Sequence, residues 1–355
     1  MYTTDLKIKE ENEMNSILIK EPKEVEIIDR PMVAPKEGEA LLKLLYGGIC
    51  GSDLGSYRGS FAYFKYPQTP GHEFSAEVIE VNSKDPDCNI KKGMIVTCNP
   101  YFNCQNCYSC KHGHVNACMD NQTMGVQREG AFSEYVVMPI ERIYDGKGLR
   151  AKTLATVEPF CIGRHGIDRA KVTAEDRVLV IGAGTIGLLA AIYARSLGAE
   201  VWLSDISEEK LEGAKNFGFD KFIVNSSPEN LKSEVERITG SSGFDVTVEA
   251  VGLPSTFQNA IDSVCFGGRM VLIGVGKKNL DFNFTMIQKK ELNIFGSRNA
   301  LKSDFIKTID EIKEGKLSLD GIITKVYPYK EAAAAFRDLD KNSASWLKVV
   351  LDFTK

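Results

Sequence analysis

Residues 177–205 read RVLVIGAGTIGLLAAIYARSLGAEVWLSD. A largely β-branched run, Val178–Ile181, meets three glycines at Gly182, Gly184 and Gly187, and an apolar helix is expected from Ile186 to Leu197. A second strand, Glu200–Ser204, ends at Asp205. In a strand, G-x-G-x-x-G turn and helix, the first glycine allows the tight turn. The second lets a pyrophosphate approach the backbone, and the third lets helix pack on strand. The phosphates then sit at the helix N-terminus, where Thr185 and Ile186 follow the second glycine. An acid eighteen residues past the last glycine, Asp205, can accept hydrogen bonds from both adenosine ribose hydroxyls and would repel a 2′-phosphate. The expected ligand is therefore NAD rather than NADP. The uncharged stretch Val178–Ala194 is just long enough to raise the question of a membrane span, but its three glycines suit a strand-to-helix turn better.

The same alternation continues downstream. Phe222–Val224, Phe244–Glu249 and Met270–Ile273 read as further strands, separated by helical segments Glu229–Ile238 and Ser255–Ser263. Val251, Gly252 and the run Ile273–Val275 fall at strand ends, the edge that faces the cofactor in such sheets. The character differs on either side. Residues 16–145 hold short β-rich runs such as Glu39–Tyr46 and Glu77–Val81, broken by Gly and Pro, and the end of the chain closes with a strand from Leu347 to Phe353. A nucleotide-binding domain, residues 161–297, is thus expected to be inserted into a second domain built from residues 1–160 and 298–355.

The whole chain has 355 residues, 43% hydrophobic and 26% charged, with a formal net charge of −4. Two domains fit that length, each large enough for its own core. The interleaved charge carries no basic footprint for nucleic acid. Residues 1–13 alternate acids and bases without an apolar segment, so no secretory signal or membrane anchor is expected and the cytoplasm is the expected compartment.

Nine cysteines are the compositional oddity. An odd number in a long chain of this kind points to reduced thiols rather than disulfides. Four of them, Cys104, Cys107, Cys110 and Cys118, follow the pattern C-x2-C-x2-C-x7-C. Four thiolates satisfy zinc in a closed structural site, and an iron–sulfur cluster could also use them. Asn103, Asn106, Gly113 and Asn116 suggest an irregular lobe, residues 99–120, rather than helix or strand. His112 and His114 exceed a tetrahedral count and read as surface residues.

Three further positions suit a metal. Cys50 lies in GICGSD, His72 in PGHEF and Glu158 in VEPF. A catalytic zinc takes three protein ligands and keeps one position open. Cys50, His72 and Glu158 would balance its charge, since two anions offset Zn²⁺. Glu73, next to His72, would orient the site or exchange with water at the metal. Taken singly, Cys50 could be a core thiol, His72 a satisfied turn histidine and Glu158 a helix-cap acid.

GICGSD, GHE, the four-cysteine lobe, the EP pair and GAGTIG, in this order, resemble the zinc-dependent medium-chain dehydrogenase/reductase family across nearly the whole chain. Glu158 in place of a second cysteine looks like the polyol (sorbitol-type) and threonine dehydrogenase branches. The resemblance implies a GroES-like β-rich catalytic domain carrying an inserted Rossmann domain with a doubly wound parallel sheet, and an active site between the two. It also implies two zinc ions per chain, NAD as cofactor, and assembly as a homodimer or homotetramer. Zinc as Lewis acid would lower the pKa of a substrate hydroxyl, so that hydride can pass to the nicotinamide. Ser52 matches the position whose hydroxyl takes the alcohol's proton. The histidine that often follows three residues later is replaced by Gly55; Tyr57 is a weak substitute that reads better as a packing aromatic.

For the substrate, the segment Gly296–Ala300 resembles that of hexonate 5-dehydrogenases. Arg298 could bind a carboxylate bidentately and Asn299 a sugar hydroxyl. Phe61, Tyr63, Phe64 and Tyr66 precede the GHE motif and could wall a pocket or belong to the core. The expected activity is oxidation of a secondary hydroxyl in a sugar acid or polyol. An L-threonine 3-dehydrogenase-like enzyme is the alternative within the same chemistry, and a non-catalytic NAD-binding relative the alternative outside it.

Overall fold

A computed structural model of the chain describes residues 13–276 and 278–355. It divides into two compact units. Of the described residues, the first comprises 13–158, 305–313 and 322–355, and the second 159–304 and 314–321.

The first unit is built on a seven-stranded sheet whose central member, Glu39–Ile49, pairs antiparallel with three others. Its register with Glu73–Asn82 sets Gly48 opposite Glu73. Its register with the last strand, Lys348–Asp352, sets Ile49 opposite Val349. Cys50, His72 and Lys348 are each one residue beyond such a pair, so the sheet delivers all three to one corner. Gly48 is required there: a Cβ on it would lie 2.4 Å from Glu73 Oε2. Leu42, Leu44, Phe74, Val78, Phe132, Phe336, Val349 and Leu351 fill the core of this unit, each contributing roughly 1.5–3 kcal/mol by leaving water. A separate hairpin, Glu13–Glu21 with Glu24–Pro31, turns at Lys23 in the left-handed region.

The second unit carries a six-stranded, wholly parallel sheet. Its spatial order is Phe222–Val224, Glu200–Asp205, Arg177–Ile181, Phe244–Glu249, Val264–Leu272, Asn293–Gly296. Going outward from Arg177–Ile181, the chain first fills one side of the sheet and then the other, which is the doubly wound Rossmann order. Val178–Ile181 is buried throughout, as a strand covered on both faces must be. The expected strand at Met270–Ile273 is longer, because pairing with Phe244–Glu249 extends back to Val264 across a register shift. No described helix is long and apolar enough to cross a membrane.

Candidate metal and dinucleotide sites

In the corner of the first unit, the ligand atoms of Cys50, His72 and Glu73 lie within 4.8 Å of one another. Asp53 holds the two ligand-bearing loops together. Its Oδ2 accepts from the Cys50 N–H at 2.9 Å and its Oδ1 from the Gly71 N–H at 3.1 Å. Asp53 is wholly buried, and that desolvation raises its pKa, with His72 opposing. His72 Nδ1 is buried with no hydrogen-bond partner, which does not fit a satisfied turn histidine. Burial works against a charge on His72, yet Cys50, Asp53 and Glu158 together hold its pKa well above the ordinary value.

Two buried carboxylates flank the Cys50–His72 pair, and they differ in their counter-charge. Glu73 is held by Lys348 Nζ at 2.7 and 2.6 Å, and the same ammonium donates to Ile49 O at 3.3 Å. Burial opposes the charge on Lys348, but Glu73 and Cys50 raise its pKa. Glu158, in the first turn of the helix Val157–Ala170, accepts a hydrogen bond from the Tyr101 hydroxyl. Burial pushes its carboxyl up to about 7, against the pull of His72, with Glu73 pushing further. The geometry gathers Glu73 with Cys50 and His72. The electrostatics leave Glu158 as the carboxylate with no lysine or arginine of its own within hydrogen-bonding range. A buried imidazole nitrogen that lies 3.9 Å from Asp53 but makes no hydrogen bond, beside a thiol and two carboxylates, is a donor set that fits a divalent metal.

Ser52 stands half-buried in the short helix Gly51–Tyr57. At Gly55 an added Cβ would lie 3.3 Å from Phe61 Cβ, so Phe61 occupies the neighbourhood of the missing histidine. Tyr57 is buried and packs on Phe336 with ring centroids 5.6 Å apart, a packing aromatic. In the aromatic run, Phe64 belongs to the core and Phe61 and Tyr66 pack against it, whereas Tyr63 is 62% exposed.

The sulfurs of Cys104, Cys107, Cys110 and Cys118 also lie within 4.8 Å of one another. Backbone N–H groups point at them: Cys104 N donates to Cys118 Sγ at 3.2 Å and Cys107 N to Cys104 Sγ at 3.3 Å. N–H bonds from Met119 and Cys110 pull the Cys107 thiol down to about 6. Burial and the neighbouring thiols Cys107 and Cys118 push the Cys110 thiol the other way, up to about 12, and a metal would relieve that conflict by taking all four sulfurs as ligands. His112 and His114 are exposed and outside the cluster. The lobe is less irregular than its composition suggests: Tyr108–Lys111 forms one helical turn and Val115–Ala117 another. Both wrap the chain around the sulfurs.

In the second unit, Gly182 has φ +104, in the left-handed region. A Cβ on Gly187 would lie 1.8 Å from Gly182 O, whereas one on Gly184 would meet nothing within 4 Å. The loop is therefore closed behind Gly187 and open in front of Gly184, which caps the helix Thr185–Ser196. That open cradle fits a pyrophosphate. Asp205 accepts from Ala183 N at 2.8 Å and Ser207 N at 2.9 Å, which fixes its carboxylate against the glycine loop. Ile206, Ser207, Glu208 and Glu209 follow it, and the first cation after Asp205 is Lys210. Val251 and Val275 are 42% and 64% exposed. A buried Glu249 organises their turn, accepting from Val251 N, Gly252 N and Thr256 Oγ1. Arg298 and Asn299 follow the strand Asn293–Gly296 in this unit, Arg298 exposed and Asn299 at φ 53.

Asp53, Tyr101 and Lys348 are site residues that sequence reasoning missed. Asp53 had a local signal, three residues after Cys50 in the same motif. Tyr101 and Lys348 arrive only through tertiary pairing.

Residues 36–147 match the alcohol dehydrogenase GroES-like domain family, and residues 185–314 the zinc-binding dehydrogenase family. The chain is 33% identical to the L-galactonate-5-dehydrogenase of Escherichia coli strain K12, over 96% of this chain and 99% of that protein. It is 32% identical to the L-threonine 3-dehydrogenase of Pyrococcus horikoshii, over 88% of this chain and 92% of that one. Among solved structures it resembles an alcohol dehydrogenase, rspB, from E. coli CFT073 complexed with NADH. The TM-score is 0.88 and the identity 30%, over 96% of this chain and 99% of that one.

Proposed function

Because the chain belongs to the zinc-dependent medium-chain dehydrogenase/reductase family and is an alcohol/polyol dehydrogenase, we propose that it uses zinc and NAD to oxidise a secondary hydroxyl of a sugar acid to a ketone. The observation that carries the proposal is the half-buried Cys50 beside the buried His72, whose Nδ1 has no hydrogen-bond partner, with two buried carboxylates, only one of which is hydrogen-bonded to a lysine. The likeness to an L-galactonate-5-dehydrogenase along nearly the full length supports the substrate class.

In this reading Cys50, His72 and Glu158 hold the catalytic zinc, and Glu73 stands beside it with its charge balanced by Lys348. The bound zinc would supply Lewis acidity to the substrate hydroxyl and the nicotinamide would supply the hydride acceptor. Asp53 keeps the Cys50 and Gly71–His72 loops in register by bonding the backbone of both. Tyr101 fixes the orientation of Glu158 through its hydroxyl. Ser52 Oγ accepts the proton of the alcohol, and with Phe61 packed against Gly55 that proton leaves to water rather than to a side-chain imidazole. The open face of Gly184 takes the pyrophosphate, Thr185 and Ile186 lie at the helix start beneath it, and Asp205 takes the ribose hydroxyls. Val251 and Val275 offer apolar contact to the nucleotide. Arg298 and Asn299 contribute polar substrate contacts. Cys104, Cys107, Cys110 and Cys118 hold a second, structural zinc.

Initial rates of NADH formation across hexonates, neutral hexitols and L-threonine test the proposal. Hexonates should give the highest kcat/KM, and NADP should be a poor substitute for NAD. Faster oxidation of L-threonine would establish the amino-acid alternative. Faster oxidation of neutral hexitols would overturn the sugar-acid assignment. No turnover of any of them by protein with both metal sites filled would favour a non-catalytic role.

A further inference from the structure

The first unit contains a cation with nothing to neutralise it. Two guanidinium groups lie over the Phe102 ring, Arg128 at 3.6 Å and Arg142 at 4.5 Å from its centroid. Arg142 is committed: it is buried, donates to Tyr101 O and lies 3.8 Å from Glu141. Arg128 forms no ion pair or side-chain hydrogen bond with any described residue. The charge that acts on it is the repulsive one of Arg142, which adds to desolvation in lowering its pKa. A guanidinium stacked on an aromatic face keeps its in-plane N–H donors available, and that edge matches a carboxylate bidentately.

The loop that carries Arg128 is tied to the metal corner. Gly125 N donates to Arg128 O at 2.9 Å, closing the loop on itself. Gly130 N donates to Thr69 O at 2.8 Å and Ala131 N to Gly71 O at 2.9 Å. Gln68 Nε2 donates to Arg128 O, and Glu129 Oε2 accepts from Thr69 N at 3.1 Å. The whole loop thus lies along residues 68–71, the segment that ends in His72. Packing this close requires glycine: a Cβ on Gly130 would lie 2.1 Å from Pro70 O. The other charged residue of the loop, Glu129, is also paired with Arg30 at 2.9 Å. Of the two, Arg128 is the one left with open donors.

We propose that Arg128, held against Phe102 on the loop that flanks His72, is the specificity-determining cation that binds the carboxylate of the substrate. This rests on the sugar-acid reading above and adds the residue in the metal-bearing unit that tells an acid from a neutral polyol. The contact is ionic and involves no bond-making step.

The test compares wild type, Arg128→Gln and Arg128→Lys on an L-hexonate and on the corresponding neutral hexitol. Arg128→Gln should lower kcat/KM for the hexonate about 10- to 100-fold, mainly through KM, and leave the hexitol within about two-fold. Arg128→Lys keeps the charge but loses the planar fork, so its loss on the hexonate should be smaller and again absent on the hexitol. An equal loss on both substrates in either variant, or no loss on the hexonate, would overturn the assignment of Arg128 while leaving the sugar-acid reading intact. A wild type that oxidises the hexitol as well as the hexonate would overturn both.

Discussion

At the scale of single residues, the metal corner is a problem in charge balance. Three buried carboxyl groups, Asp53, Glu73 and Glu158, share one histidine and one lysine beside the Cys50 thiol. Glu158 reports this most directly. Its carboxyl is raised by burial to about 7 in the folded protein, against an ordinary value near 4.3. Between those values the folded state holds a proton that the unfolded chain has released. Stability of the metal-free protein therefore falls as pH rises through this window, and the full penalty is present above it. Glu158→Gln should raise the unfolding free energy of metal-free protein by on the order of 2 kcal/mol at pH 8 and by much less at pH 5. An equal effect at both pH values, read by thermal or denaturant unfolding, would contradict the burial argument. Cys50, His72 and Glu158 were legible because each lies in a short motif with glycine or proline beside it. Lys348 was not, since nothing local distinguishes it from other lysines. Only the pairing of Val349 with Ile49, nearly three hundred residues away in sequence, brings it to Glu73.

At the scale of elements, the glycine loop after Arg177–Ile181 separates structural from ligand-binding demands. Gly187 has the backbone of Gly182 where a side chain would go, whereas Gly184 has open space. Gly187→Ala should therefore destabilise the protein by about 1–3 kcal/mol, as overpacking does. Gly184→Ala should leave the unfolding midpoint within about a degree while weakening NADH binding at least ten-fold. Nucleotide titration by fluorescence together with thermal unfolding would check the pair, and NADH affinity unaltered in Gly184→Ala would remove the cradle argument. This element was the most readable part of the chain, because strand, turn and helix all lie within thirty residues. The extension of the fifth strand of the sheet back to Val264 was less readable, since Phe266, Gly267 and Gly268 interrupt its apolar pattern and pairing with Phe244–Glu249 supplies what the pattern lacks.

At the scale of the whole molecule, two clusters of metal-ligating side chains with different composition belong to one unit. The four-cysteine lobe offers sulfur alone, and its sulfurs accept from backbone N–H groups, whereas the Cys50–His72 corner has mixed donors; in the proposed function only the latter meets substrate. Mild chelation should accordingly remove activity first and leave the lobe metal and the fold in place. Loss of near-ultraviolet circular dichroism before loss of activity would contradict that order. The four-cysteine cluster was legible through its spacing, whereas Cys50 and His72 were singled out by their motifs and the structure gathers Glu73, not Glu158, within 4.8 Å of both. An inserted nucleotide-binding domain was expected because β-rich character returns in the last strand; of the segment expected to rejoin the first domain, residues 298–304 and 314–321 fall in the second unit. The identity of the strand that Lys348–Asp352 joins was not legible in the sequence, since register in an antiparallel sheet is a long-range property.

The most direct test of the metal assignment is the zinc content per chain of the wild type and of Cys50→Ala, measured by elemental analysis on protein purified without chelator. Two zinc ions in the wild type and one in the variant, with the remaining ion resistant to mild chelation, is the result expected. One zinc in both proteins would mean that the lobe alone holds metal, and that the Cys50–His72 corner is not a catalytic zinc centre.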